Sequence, residues 1–179
     1  MAMAVRPATA ADASTLARVA AATFALACPP HVTQESIEAF ISTNLSLGSF
    51  VGYLADADRD LFLAEDDGEP VGYAMVVAGD PADPDVKAAL RHLPTTELSK
   101  IYVVPGSHGG AVAAALMVAS LDAARDRGAA GVWLGVNQLN ERAQRFYTKS
   151  GFSRVGTKRF LVGDRYEDDF IYEQRLGSL

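Results

Sequence analysis

Apolar positions recur along this chain with two periods. Leu16, Val19, Ala20 and Phe24 repeat at helical spacing, and Ile37, Phe40, Ile41 and Leu45 do so again. Thr9 or Asp12 is placed to cap the first helix, and Thr33 or Ser36 the second. Between them Cys28-Pro29-Pro30-His31 breaks the first helix. Short apolar runs at 5–8, 61–64, 70–77 and 97–104 read as strands, with Asp67-Gly68 a hairpin turn between the second and third. Residues 79–85 are a loop, and a helical turn is expected around 86–90. The stretch 47–60 shows neither period cleanly. In the second half a glycine-rich turn at 106–110 leads into a helix over 111–127, closed by Gly128. A strand at 131–136, a helix over 140–150 stopped by Gly151, and strands at 152–160 and 170–176 about the turn Gly163-Asp164 follow. The pattern predicts an α+β fold with a strand–helix–strand unit in its second half.

The length, 179 residues, suits one domain spanning 1–179. A net charge of -6 and a pI of about 5.0 argue against the basic face that nucleic-acid binding needs, and mildly favour a cationic small substrate. The single cysteine, Cys28, excludes a disulfide within the chain and has no basic neighbour in sequence, so it reads as structural; a cytoplasmic location fits. No apolar run approaches the roughly 20 residues needed to cross a bilayer, and the N-terminal stretch lacks the basic flank and apolar core of a signal peptide. His31, His92 and His108 are scattered and suggest no metal site.

Two segments carry candidate chemistry. Around Val103-Val104-Pro105-Gly106-Ser107-His108-Gly109-Gly110 a strand ends and a helix begins. The unpaired N–H groups and dipole of such a helix start favour an anion, and small residues let a phosphate approach the backbone. From Asn140 to Phe152, Asn140 is a good N-cap and Ala143, Phe146 and Tyr147 share a helical face. Alone, the first segment is more simply a turn and the second an amphipathic helix with an aromatic core stripe.

Together they resemble the GNAT N-acetyltransferase superfamily. That family's acetyl-CoA loop reads Q/R-x-x-G-x-G/A after a strand ending Val-x-Pro; here it is His108-Gly109-Gly110-Ala111-Val112-Ala113. A later family stretch, N-x-x-A-x-x-F-Y-x-K-x-G-F, is matched at Asn140, Ala143, Phe146, Tyr147, Lys149, Gly151 and Phe152. The likeness covers roughly residues 97–156. His108 and Ala111 depart from the usual Arg or Gln and Gly. The resemblance implies a mixed, mostly antiparallel sheet of about six or seven strands flanked by helices, with acetyl-CoA as co-substrate and no metal. It implies that Ile101 and Val103 present backbone groups to the pantetheine arm, and that His108, Gly109, Gly110, Ala111, Val112, Ala113 and Ala114 surround the pyrophosphate. Asn140 would hydrogen-bond the cofactor, and Tyr147 would stand near the sulfur as general acid. The amide of Val103 or Val104 is the candidate donor to the developing oxyanion.

For the general base the sequence offers Glu97, which as a strand residue shares a face with Ser99. The acidic run Asp164, Glu167, Asp168 and Asp169 reads as a solvated hairpin tip, or as an attractor of a cationic substrate. The strings Leu98-Ser99-Lys100-Ile101-Tyr102-Val103 and Phe160-Leu161-Val162-Gly163-Asp164, with Asp169-Phe170-Ile171, look similar to bacterial polyamine acetyltransferases of the spermine/spermidine type. That likeness implies a small primary amine as acceptor, with no nucleic acid or membrane partner, and it leaves a homodimer open. A non-catalytic acyl-CoA-binding module on the same fold, and acetylation of a protein N-terminus or lysine, are the alternative readings. No G-x-x-x-x-G-K-[ST] or G-x-S-x-G motif occurs, which argues against a P-loop nucleotide site and a nucleophile elbow.

Overall fold

The structure, a computed structural model, describes residues 2–106 and 109–177. Its strands are β1 (Met3–Pro7), β2 (Arg59–Asp66), β3 (Glu69–Ala78), β4 (Thr95–Val103), β5 (Gly131–Asn137), β6 (Ser153–Val162) and β7 (Arg165–Arg175). The helices are α1 (Ala13–Ala27), α2 (Gln34–Asn44), α3 (Leu47–Ala55), α4 (Pro84–Ala89), α5 (Gly109–Asp126) and α6 (Glu141–Lys149), with a 3-10 turn at Ala10–Asp12. The seven strands form one mixed sheet in the order β1-β2-β3-β4-β5-β7-β6. Only β4 and β5 run parallel, joined by the crossover through α5.

Local chemistry sets most boundaries. Thr33, not Ser36, caps α2: its hydroxyl accepts from the Ser36 N–H at 3.1 Å. Thr9 and Asp12 make a capping box for the 3-10 turn that opens α1, and Arg6 ties Asp12 to Glu65 of β2. Asp67 and Gly68 both take positive φ, 49° and 83°, as a two-residue hairpin loop with a matching twist requires. The segment that showed neither period contains α3, capped by Ser46. Its apolar residues point both ways: Phe50 is fully buried while Leu47 and Val51 stand exposed, so no single apolar stripe marked it.

The sheet is covered on both faces. Helices α1, α2 and α3 pack over Leu61, Leu63, Tyr73 and Met75 on one side. On the other side α5 places Leu116, Met117, Leu121 and Ala124 against β3, β4 and β5. Helix α6 joins that second layer through Phe146 and Tyr147.

The parallel pair parts early. β4 and β5 are in register only at Thr95–Gly131, Thr96–Val132 and Glu97–Trp133. Beyond Glu97, β4 follows β3 and β5 follows β7, so a V-shaped opening separates them. A bulge assists: Met75 faces Lys100 and Val76 faces Leu98, leaving Ser99 as the extra residue that bends β4. Gly131 anchors the closed end. A β-carbon there would lie 2.8 Å from His92 Cβ and 3.0 Å from the His92 carbonyl oxygen. Gly131→Ala is therefore expected to cost about 1–3 kcal/mol of stability, the range for overpacking, readable as a lower urea midpoint at unchanged slope. A variant as stable as the parent would mean that this end of the sheet yields freely.

Candidate active site

The V exposes backbone polar groups. The Val104 N–H is spent on the Val71 carbonyl at 2.8 Å, so it is not free to meet a substrate oxygen. In an antiparallel pair the N–H groups of successive residues point to opposite edges. The amides of Val103 and Ile101 therefore face the V, where β5 no longer pairs with them. Of the two donors expected from sequence, Val104 is already engaged by Val71, and the Val103 N–H faces the V.

On the α5 side of the V lies that helix's first turn. Val112 is fully buried among Ala64, Val71, Ala74 and Leu116, so its side chain serves the core and only its backbone is left for a ligand. Gly110, Ala111 and Ala114 are exposed. A β-carbon on Gly110 would meet nothing within 4 Å, so this turn is open on its outer side. The extra methyl of Ala111 stands at the surface, not against the sheet. His108 lies outside the described residues. The unpaired amides of a helix start, flanked by small side chains, fit a pyrophosphate.

Helix α6 closes the V beyond β5. Asn140 caps it, its side-chain oxygen accepting from the Ala143 N–H at 3.1 Å, which leaves the amide nitrogen for a ligand. The Tyr147 ring packs against Phe152 and Tyr172, with centroids 6.1 and 6.4 Å away. Burial, with a smaller push from the Tyr102 phenol, raises the Tyr147 pKa well above its ordinary value, so the hydroxyl stays protonated. It makes no hydrogen bond among the described residues.

The opposite sheet face, under α1 and α2, carries polar groups in an apolar frame. The bulge at Ser99 places Glu97 on one face with Lys100, rather than with Ser99, while Leu98 turns to α5. Lys100 Nζ lies 5.9 Å from the Phe40 ring, and Phe160 packs tilted on Phe40 at 5.5 Å. Lys158 Nζ sits 5.3 Å from the Phe160 ring, directly across the strand pair from Asp169. Gly135 leaves a gap beside them: a β-carbon there would lie 3.2 Å from Asp169 Oδ2 and 3.4 Å from Lys158 Cδ. Glu167 accepts hydrogen bonds from His31 Nε2 at 2.8 Å and Asn137 Nδ2 at 3.3 Å.

The acidic run is thus not a uniform solvated tip. Strand β7 begins at Arg165, five residues earlier than the pattern suggested, and alternates: Asp168 is exposed, whereas Glu167 and Asp169 are 7% and 6% exposed. Burial raises Asp169 to about 6, against the opposing pull of Lys158 and with a further push from Glu167 and Asp168. Burial also raises Glu97 and lowers Lys100, despite their mutual attraction. Burial lifts the Tyr102 phenol to about 12 and the Cys28 thiol to about 11, which leaves Cys28 an unreactive thiol. Sequence reasoning missed Lys100, Lys158 and the inward role of Asp169; the signal available was the period of two across 165–171. Among the described residues no group of His, Cys, Asp or Glu is arranged to hold a metal, and no helix is long and apolar enough to cross a membrane.

Residues 22–152 match the Acetyltransferase (GNAT) family. An uncharacterized N-acetyltransferase of Mycobacterium tuberculosis is 48% identical over 165 residues, which is 92% of this chain and 98% of the relative. Among solved structures, the PaiA N-acetyltransferase of Thermoplasma acidophilum in complex with coenzyme A superposes with a TM-score of 0.77 at 19% identity, covering 98% of this chain and 100% of that one. The ribosomal-protein-alanine N-acetyltransferase of Brucella melitensis follows the same fold, with a TM-score of 0.62 at 22% identity over 97% of this chain and 99% of that one.

Proposed function

The chain belongs to the GNAT acetyltransferase family, and on that premise we propose that it moves an acetyl group from acetyl-CoA to a primary amine bound on the sheet face under α1 and α2. The observation that carries this reading is the V between β4 and β5. It lies between a helix start suited to a pyrophosphate, on one side, and the sheet face that carries Asp169 and Glu97 on the other.

Acetyl-CoA supplies a thioester whose acyl carbon accepts the amine. The amides of Ile101 and Val103 hold its extended arm along the open edge of β4, and the first turn of α5, from Gly109 to Ala114, holds the pyrophosphate. The Val103 N–H donates to the carbonyl oxygen as negative charge gathers there. An alkylamine of pKa about 10.4 is only about 0.04% neutral at pH 7, so a base is needed. Asp169 is our base, in place of Glu97. It stands across from Asn137, beside the open part of the V, and its pKa of about 6 leaves it ionised at pH 7. Glu97 lies at the closed end, four residues before Ile101, roughly 10–13 Å by strand rise. One C–N bond forms and the C–S bond breaks. Of the two protons the ammonium loses, one reaches the sulfur by way of Tyr147 and the other leaves through Asp169.

The likeness of residues 98–103 and 160–171 to polyamine acetyltransferases makes spermidine and spermine the amines against which any other acceptor is compared. We place the reaction in the cytoplasm, where the lone Cys28 thiol stays reduced. Acetyl-CoA at a hundredfold excess over its dissociation constant should stabilise the protein by roughly 2.7 kcal/mol, seen as a rise in melting temperature. No rise at saturating acetyl-CoA overturns the reading. A rise without release of free CoA in the presence of any amine would instead mark a binding module.

A further inference from the structure

The sheet face under α1 and α2 carries more than an acid. Outside the pair Glu167–His31, four charged side chains lie on it with no hydrogen bond or ion pair among the described residues: Glu97, Asp169, Lys100 and Lys158. They come from three strands, β4, β6 and β7, on one face of the sheet. Asp169 is 6% exposed and accepts no hydrogen bond among the described residues; its neighbour Lys158 leans over the same gap at Gly135, with Nζ 3.8 Å from where a β-carbon there would lie. Asp169 is buried and the other three are partly buried; they attract one another without closing an ion pair, so a ligand that carries both signs would complete the set. Phe40, Phe160 and Tyr102 supply the apolar wall between the charges.

The sign pattern discriminates between ligands. A polyamine would satisfy the carboxylates with its ammonium groups but would bring further cations beside Lys100 and Lys158. A ligand of mixed charge satisfies both sets at once. We propose that the acceptor is a zwitterionic amino acid, whose amine is presented at Asp169 and whose carboxylate is held by Lys100 and Lys158. This deepens the acetyltransferase reading and rests on it. The bond changes are those of amine acetylation already described, and the carboxylate is a bystander that fixes orientation. The Lys100 and Lys158 ammonium groups, set against the Phe40 and Phe160 rings, are the charge-assisted donors that a carboxylate seeks.

The test uses matched acceptors that differ only in the carboxylate. The full-length protein with acetyl-CoA is given the common amino acids and, for each, the amine of the same skeleton lacking the carboxyl group, with spermidine alongside; CoA release is measured. The expected result is a kcat/KM at least tenfold higher for the carboxylate-bearing member of the preferred pair, and higher than for spermidine. Lys100→Met and Lys158→Met should each shrink that ratio by tenfold or more, mainly through KM of the amino acid. Acetyl-CoA binding, read by thermal shift in the same samples, shows whether each variant is folded and whether the parent reading stands. If acetyl-CoA binds but the carboxylate-free amines or spermidine are preferred, or no amino acid is acetylated, the zwitterion proposal is overturned and the family reading survives. If both Lys variants fold and leave the ratio unchanged, the proposal is overturned as well. If acetyl-CoA does not bind at all, the acetyltransferase reading fails and takes the proposal with it.

Discussion

Tyr147→Phe is expected to lower turnover by about 10²–10³-fold while leaving the affinity for acetyl-CoA within about threefold. The ring packs on Phe152 and Tyr172, and phenylalanine keeps that packing. The hydroxyl has no hydrogen-bond partner among the described residues, so its deletion orphans nothing and stability should move by no more than about 0.5 kcal/mol. What is lost is the proton for the departing thiolate. Burial raises the Tyr147 pKa, which makes the phenol a reliably protonated but weaker acid. The loss should therefore fall in the lower part of the general-acid range, which extends to about 10⁴. The pH profile discriminates. A thiol of pKa about 8.5 leaves increasingly unaided above that pH, so the defect of the variant should shrink there. A defect that is constant with pH, or that is confined to acetyl-CoA affinity, would make Tyr147 a packing residue.

Much of the unit from β4 through α5 to α6 was legible because local signals and long-range structure agree there. The end of β4, the glycine-rich turn, the helix after it, and the Asn140 cap are each written in a few adjacent residues with backbone consequences. The same holds for the hairpin at Asp67-Gly68 and the left-handed helix ends at Gly128 and Gly151, with φ of 80° and 103°. The charged sheet face under α1 and α2 was not legible in this way. Its groups come from strands far apart in sequence, and which face each side chain takes depends on register. The bulge at Ser99 is the plainest case: period two puts Glu97 with Ser99, whereas the extra residue pairs Glu97 with Lys100 instead. Likewise a count of acids in 164–169 suggests a wet tip, while the register of β7 against β5 and β6 buries alternate members. Helix α3 escaped because Gly48 and Gly52 weaken its helical propensity and its apolar residues face both core and solvent.

Asp169→Asn should separate function from stability. In our reading Asp169 takes the proton of the attacking amine, so the variant should lose about 10²–10⁴-fold in turnover at pH 7–8, and the parent's kcat/KM should rise with pH through about 6. The same substitution should make the protein more stable, because the residue is 6% exposed, its carboxylate accepts no hydrogen bond among the described residues, and asparagine carries no charge. The sign follows from linkage. The folded-state pKa, about 6, lies above the ordinary value of 3.8, so the folded protein binds this proton more tightly than the unfolded chain does. Ionised Asp169 therefore opposes folding, by an amount that is absent below about pH 4, grows as pH rises toward 6, and is constant above it. A displacement from 3.8 to about 6 corresponds to of order 1–3 kcal/mol. The melting temperature of Asp169→Asn should accordingly exceed the parent's at pH 8, and the two should converge near pH 4. Turnover within about threefold of the parent would remove Asp169 as the base. A variant less stable than the parent at pH 8 would mean that the ionised carboxylate is held by attraction to Lys158 more strongly than burial opposes it.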